Sequence, residues 1–247
     1  MDRSSATTAN WVEAGSDMTL AARAQTTSLA VGALGIDLDV DLDASWLLPN
    51  DPVACVILAH GAGADHRHAS MQSIAEALAA EGIATFRFNF PFMQRGQRRV
   101  DSQAVSVACI GAAVNHVRAA VEVPLFLGGH SFGGRMASHA VLDMDLPVQG
   151  LIFCSFPLHP AKKPARKRAA HLPQVGVPML FLSGTRDDLA DQALLTEVTA
   201  ELSQATLHWL DTANHSYQIL KRQRAPEPSV FAELAQRARV FIDQHCP

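Results

Sequence analysis

At 247 residues, with 48% hydrophobic and 18% charged side chains, the chain has the make-up of a folded globular protein with room for one sizeable core, which excludes a disordered or fibrous polypeptide. A net charge of −4 speaks against a general nucleic-acid binder. No run approaches the roughly twenty apolar residues that a membrane span needs, and no Pro/Gly/Ser-rich linker divides the chain into two domains.

Residues 1–25, rich in Ser, Thr and Ala, are expected to form a flexible tail, with residues 26–247 as a single domain. The N-terminus lacks a basic region followed directly by an apolar core and a small-residue cleavage site, so a cytoplasmic protein is expected. Cys55, Cys109, Cys154 and Cys246 show neither metal-like nor thioredoxin-like spacing, and the first three sit in apolar segments where a reduced thiol packs as a small hydrophobe.

Strand-like sequence starts at Leu29–Leu34 and continues through Ile36–Asp43, where apolar and acidic residues alternate with period two. That alternation predicts a half-exposed strand at a sheet edge. After Trp46 and a turn around Pro49-Asn50-Asp51-Pro52 the character changes. Short apolar runs at Val53–Ala59, Ile83–Phe88, Leu125–Leu127, Leu151–Phe153 and Met179–Leu182 alternate with helical patterns at Ala69–Glu81, Ser102–Ala120, the stretch after Ser131, Ala190–Leu202 and Ser229–Gln244; Ala205–Leu210 reads as the last strand. Near-continuous apolar strands alternating with helices predict an α/β domain built on a doubly wound, mostly parallel sheet with helices on both faces.

In such sheets, ligands bind at the carboxyl ends of the strands, so the loops after strands carry the chemistry. Gly129-His130-Ser131-Phe132-Gly133 falls between a strand and a helix, where flanking glycines give a serine on a tight turn the clearance it needs. Ser131 is the candidate nucleophile. A serine hydroxyl is weak near neutral pH unless an imidazole takes its proton, and His215, after the last strand, is placed to do so. The acid that orients the histidine is Asp187 or Asp188. Asp187 is favoured because it follows its strand in the frame Gly184-x-x-Asp187, whereas Asp188 can cap the helix expected near Ala190. Backbone N–H groups of Phe132 and of Ala62, or a neighbour in His60-Gly61-Ala62-Gly63, would meet the oxyanion.

His60, Phe92 and Phe156 are expected to line the substrate. The segment between Cys154 and Pro178 is too short for a large lid, which favours small or extended substrates over long lipid chains. His66 and His68 read as solvated loop histidines; no carboxylate or Cys set completes a metal site, and neither metal nor cofactor is expected. The basic runs holding Arg95, Arg98 and Arg99, and Lys162 through Arg168, carry no interleaved aromatic residue and read as solvated loop faces.

His60-Gly61-Ala62-Gly63, Phe88-Asn89-Phe90-Pro91-Phe92-Met93, Gly129-His130-Ser131-Phe132-Gly133-Gly134-Arg135, Phe156-Pro157-Leu158-His159-Pro160, Gly184-Thr185-Arg186-Asp187 and Asn214-His215-Ser216 together resemble the α/β-hydrolases. The resemblance covers nearly everything from Pro52 onward and is strongest to the small dienelactone-hydrolase-like group that includes testis-expressed protein 30 and KANSL3-type relatives. It implies the α/β-hydrolase fold without a large lid, and a nucleophile, acid and base at Ser131, Asp187 and His215. The expected activity is serine hydrolysis of an ester, thioester or related acyl bond, with a small-molecule acyl substrate and no nucleic-acid or membrane partner. The loop Asp65-His66-Arg67-His68 departs from the smaller, less basic loop of the group. The alternative, suggested by the chromatin-complex relatives, is a binding or scaffolding protein with little activity.

Overall fold

The computed structural model describes residues 22–31 and 41–246. Among these residues, eight strands form one sheet: β1 (Arg23–Leu29), β2 (Leu42–Leu48), β3 (Ala54–Ala59), β4 (Ile83–Phe88), β5 (Leu125–His130), β6 (Leu151–Cys154), β7 (Met179–Gly184) and β8 (Ala205–Leu210). Their spatial order is β1-β2-β4-β3-β5-β6-β7-β8, with β1 and β2 antiparallel to their neighbours and the remainder parallel. The helices are α1 (Ala69–Ala80), the short α2 (Pro91–Gln94), α3 (Gln103–Ala120), α4 (Phe132–Asp143), α5 (Gln192–Ala200) and α6 (Val230–His245).

The sequence pattern explains the layering. Along β3, Ala54, Val56 and Leu58 face a cluster with Ile74 and Leu78 of α1 and with Leu234 and Phe241 of α6. The alternate residues Cys55, Ile57 and Ala59 join a cluster with Ile110 of α3, Met136 of α4 and Leu195 of α5. A strand buried on both sides has no polar face to show, hence its continuous apolar run. Helix starts follow capping chemistry: Ser102 Oγ accepts from Val105 N, and Ser229 Oγ accepts from Ala232 N.

The antiparallel edge differs from expectation. β1 begins at Arg23, inside the stretch read as a tail, and β2 starts only at Leu42 and contains Trp46. β1 and β2 pair from Arg23↔Leu48 to Leu29↔Leu42, so the pairing is carried by Thr26, Thr27, Ser45 and Trp46 rather than by the acidic alternation. Most of the predicted strands at Leu29–Leu34 and Ile36–Asp43 lies at residues 32–40, outside the described residues. Between β6 and β7 the chain makes only two single-turn 3-10 segments, Lys167–Ala169 and Leu172–Gln174, so no lid domain is inserted there. Among the described residues, no helix is long and apolar enough to cross a membrane.

The strand order places the site. β3 has β4 on one side and β5 on the other, so the chain runs from β3 out to β4 and then crosses back past β3 to β5, and such a switch opens a crevice at the carboxyl ends. Ala59 pairs with Gly129, so the loops after β3 and β5 leave the sheet at one level, and Gly184 pairs with Leu210, so the loops after β7 and β8 do likewise.

Candidate active site

Ser131 sits between β5 and α4 at φ 52°, ψ −114°. A non-glycine residue in such a region costs about 1–3 kcal/mol and persists only where its surroundings dictate it. Here they do: Ser131 N donates to Cys154 O at 2.9 Å, and Arg135 N to Ser131 O at 3.1 Å. The adjoining glycines answer to the backbone of neighbouring strands. A Cβ at Gly129 would stand 2.4 Å from Ala59 O, one at Gly133 2.3 Å from the same oxygen, and one at Gly128 2.1 Å from Ile152 O. Gly133→Ala should therefore destabilise the fold by about 3 kcal/mol or more, since backbone cannot retreat as a side chain can. Thermal melts should show a drop of about 6–12 °C, with Gly63→Ala, whose added Cβ meets nothing within 4 Å, as the neutral control.

His215 links the serine to an acid. Ser131 Oγ donates to His215 Nε2 at 2.8 Å, and His215 Nδ1–H donates to Asp187 Oδ2 at 2.8 Å and Oδ1 at 2.9 Å. The Asp187 side chain is 0% exposed and His215 21%, so the carboxylate is sealed while the imidazole stays reachable. Asp187 Oδ1 also accepts from Leu189 N at 2.8 Å, which fixes the carboxylate on its own loop. The loops after β7 and β8 are locked together: a Cβ at Gly184 would stand 2.2 Å from Ala213 O, Arg186 N donates to Ala213 O, and Arg186 Nη1 donates to Thr212 O. Around His215, Asn214 Oδ1 accepts from both Ser216 N and Gln218 N. This Asx turn holds the loop in one shape. Asp188 is exposed, and the cap of α5 is Asp191, whose carboxylate accepts from Leu194 N; the helix starts at Gln192, later than expected.

Strain gathers at this edge. Of six non-glycine residues with positive φ among those described, Ser131, Ser155, Thr212 and Tyr217 lie on the loops after β5, β6 and β8. Phe132 is the first residue of α4, where backbone N–H groups lack an intrahelical partner and the helix end is positive. Ala62 is exposed on the neighbouring loop, and the Cβ direction of Gly61 lies 3.7 Å from Ser131 Cβ, so that loop abuts the serine.

Residues 52–243 match the family model of the alpha/beta hydrolase domain. The chain belongs to the alpha/beta hydrolase family. Solved structures share the fold at low identity. A dienelactone hydrolase from Anabaena variabilis superposes with a TM-score of 0.70 at 20% identity, over 92% of this chain and 99% of its own. A lidless α/β serine hydrolase from Xanthomonas campestris gives 0.67 at 21%, over 95% and 99%, and an α/β serine hydrolase homologue from Coxiella burnetii gives 0.65 at 18%, over 89% and 96%.

Three residues expected to line the substrate do something else in this hydrolase. His60, Phe92 and Phe156 are fully buried. The two phenylalanines fill the core behind the site, Phe92 edge-on to Phe132 and Phe156 edge-on to Phe153, because rings of that size gain most by leaving water. His60 braces the loop: Nδ1–H donates to Gly61 O at 2.7 Å while Nε2 accepts from Phe90 N at 2.9 Å. His66, expected in solvent, is buried with Nδ1 against Asn89 Oδ1 at 2.9 Å, and only His68 is exposed, as the N-cap of α1. Arg95, Arg98 and Arg99 are exposed, as are Lys162, Lys163, Arg166 and Lys167, whereas Arg168 is half-buried with Nη1 on Pro157 O.

Two further histidines, His130 and His159, also make structural contacts at this edge. His159 ties the loop after β6 to the acid loop, Nδ1–H donating to Pro160 O and Nε2 accepting from Asp191 N. Burial pushes His60 down to about 4, and burial followed by the neighbouring His215 pushes His130 down to about 4. An unfolded chain binds protons on these rings near pH 6.5, so between about 6.5 and 4 the unfolded state holds more protons and stability falls as pH falls. The loss amounts to about 3 kcal/mol for each ring at the bottom of that window. Melting temperatures measured from pH 7 to pH 4.5 should decline steadily; a flat curve would contradict rings that stay neutral in the fold.

Proposed function

We propose that the protein is a serine hydrolase that cleaves an ester, thioester or related acyl bond through an acyl-enzyme on Ser131. The observation that carries this reading is the unbroken relay from Ser131 Oγ through His215 to the buried Asp187, with both links at hydrogen-bond length. In the first half-reaction Oγ attacks the acyl carbon as its proton passes to His215 Nε2, and the imidazolium then gives that proton to the leaving group. In the second, water takes the place of the serine and His215 repeats the transfer. Asp187 holds the Nδ1–H tautomer and offsets the imidazolium charge, and the Phe132 and Ala62 N–H groups stabilise the oxyanion.

With only short 3-10 turns between β6 and β7, the reading favours small or extended acyl substrates. The free, buried thiols of Cys55, Cys109 and Cys154 suit a reducing compartment, which we take to be the cytoplasm. Scaffolding alone gives no reason to keep a strained serine aligned with an imidazole and a sealed carboxylate. A panel of p-nitrophenyl esters of increasing chain length, thioesters and a lactone, run with fluorophosphonate labelling, tests the reading. Turnover on at least one class and stoichiometric labelling at Ser131 are expected; a wild-type protein that neither turns over nor labels overturns it.

A further inference from the structure

The residue just before the candidate nucleophile makes contacts that the relay does not require. His130 Nε2 lies 2.9 Å from the backbone oxygen of His215. A carbonyl oxygen only accepts, so the proton of the neutral ring is on Nε2 and Nδ1 carries the lone pair. Nδ1 faces the loop after β3, where a Cβ at Gly61 would come within 3.0 Å of it. The ring centre is 5.2 Å from that of His215 and 6.1 Å from that of Tyr217, whose hydroxyl donates to Leu182 O in β7. One imidazole thus touches the loop that carries Ala62, belongs to the strand that ends at Ser131, and is bonded to the main chain of His215.

This arrangement bears on a specific demand of the relay, that the base stay aligned with the strand that presents the serine. His215 is held by its side chain to Asp187 and Ser131, but its backbone rides on a loop flanked by the left-handed residues Thr212 and Tyr217. The Asx turn at Asn214 shapes that loop without tying it to β5. Nε2 of His215 must stay within hydrogen-bond reach of Oγ, and a shift of about 1 Å in a reacting group can cost about a hundredfold in rate.

We propose that His130 is the positioning residue for His215, its Nε2–H fastening the main chain of the base to the strand that presents the nucleophile. The proposal rests on the reading of Ser131 as nucleophile and His215 as base. His130 suits the task because its surroundings keep it uncharged. Burial and the adjacent His215 charge hold its pKa near 4, with the hydrogen bond to the His215 backbone and then Asp187 opposing that shift and His68 reinforcing it. A cation at this position would sit against the imidazolium that forms on His215 during each half-reaction. Gly61 leaves room for the ring, since a Cβ there would press on Nδ1 at 3.0 Å.

His130→Phe keeps an aromatic ring and removes the donor, whereas His130→Gln places an amide N–H at a reach similar to that of Nε2. On the best ester of the panel, His130→Phe should lower kcat by about tenfold to a hundredfold with KM changed by no more than about twofold, and should slow fluorophosphonate labelling in step. His130→Gln should restore most of that loss. A folded His130→Phe with wild-type kcat, or equal losses in the two variants, overturns the proposal. Nitrogen-15 NMR of the wild-type imidazoles tests it without any substitution: His130 must be the Nε2–H tautomer, and a proton found on Nδ1 rules the bond out. If Ser131→Ala retains turnover and labelling, it is the reading of the site that fails; if that variant is dead and His130→Phe is unimpaired, only the role of His130 fails.

Discussion

Replacing Ser131 with alanine is expected to lower turnover of an activated ester by about 10^4 to 10^6-fold and to abolish fluorophosphonate labelling, with the melting temperature held or raised. The reasoning starts from what the hydroxyl does. As the residue that precedes α4, Ser131 makes no side-chain cap to the helix, so its oxygen does not hold the helix start. Among the described residues, its hydrogen bond runs to His215 Nε2. Alanine keeps the same Cβ and meets the same backbone strain at φ 52°, so the turn survives while the nucleophile is lost. Residual activity would come from the oxyanion donors and from substrate positioning alone. Circular dichroism and melts on the variant, beside kcat on the best ester, separate this from unfolding. A variant that still turns over at more than about one per cent of wild type places the nucleophile elsewhere.

The parallel half of the molecule was legible because its physics is local. Strands buried on both faces must be apolar throughout, and β3 to β8 follow the apolar runs within one to three residues at their ends. The relay was legible for the same reason: Ser131, Asp187 and His215 each fall just beyond a strand, and the topology sends those ends to one edge. The antiparallel edge was less so. β1, with exposed Arg23 and Ala24 and a Thr pair, pairs among the described residues with β2 alone, and its placement depends on register rather than on any pattern of its own. The roles of His60, Phe92 and Phe156 were misread because loop membership does not reveal depth; a histidine with a carbonyl to give to and an amide to accept from can be sealed in the core. His130 had a signal, its place beside Ser131, but its partner is a backbone oxygen 85 residues away, which no side-chain pattern announces.

The acid is where sequence left two neighbours in competition and where geometry makes the sharpest division. Asp187→Asn should lower kcat on the order of 10^4-fold, while Asp188→Asn should stay within about twofold. The first effect is one of tautomers. The Asp187 carboxylate only accepts, so it holds the proton of His215 on Nδ1 and leaves Nε2 free to take the proton of Ser131. An asparagine at this sealed position already receives Leu189 N on Oδ1, which turns its amide N–H toward Nδ1. The imidazole must then carry its proton on Nε2, facing the serine, where it cannot act as a base. Shape and packing change little, so the melting temperature should move far less than the rate. Asp188, exposed and outside the relay, has no such hold on His215. Equal losses from the two variants would show that the loop as a whole, not the carboxylate of Asp187, supports the base; a larger loss at Asp188 would exchange their roles.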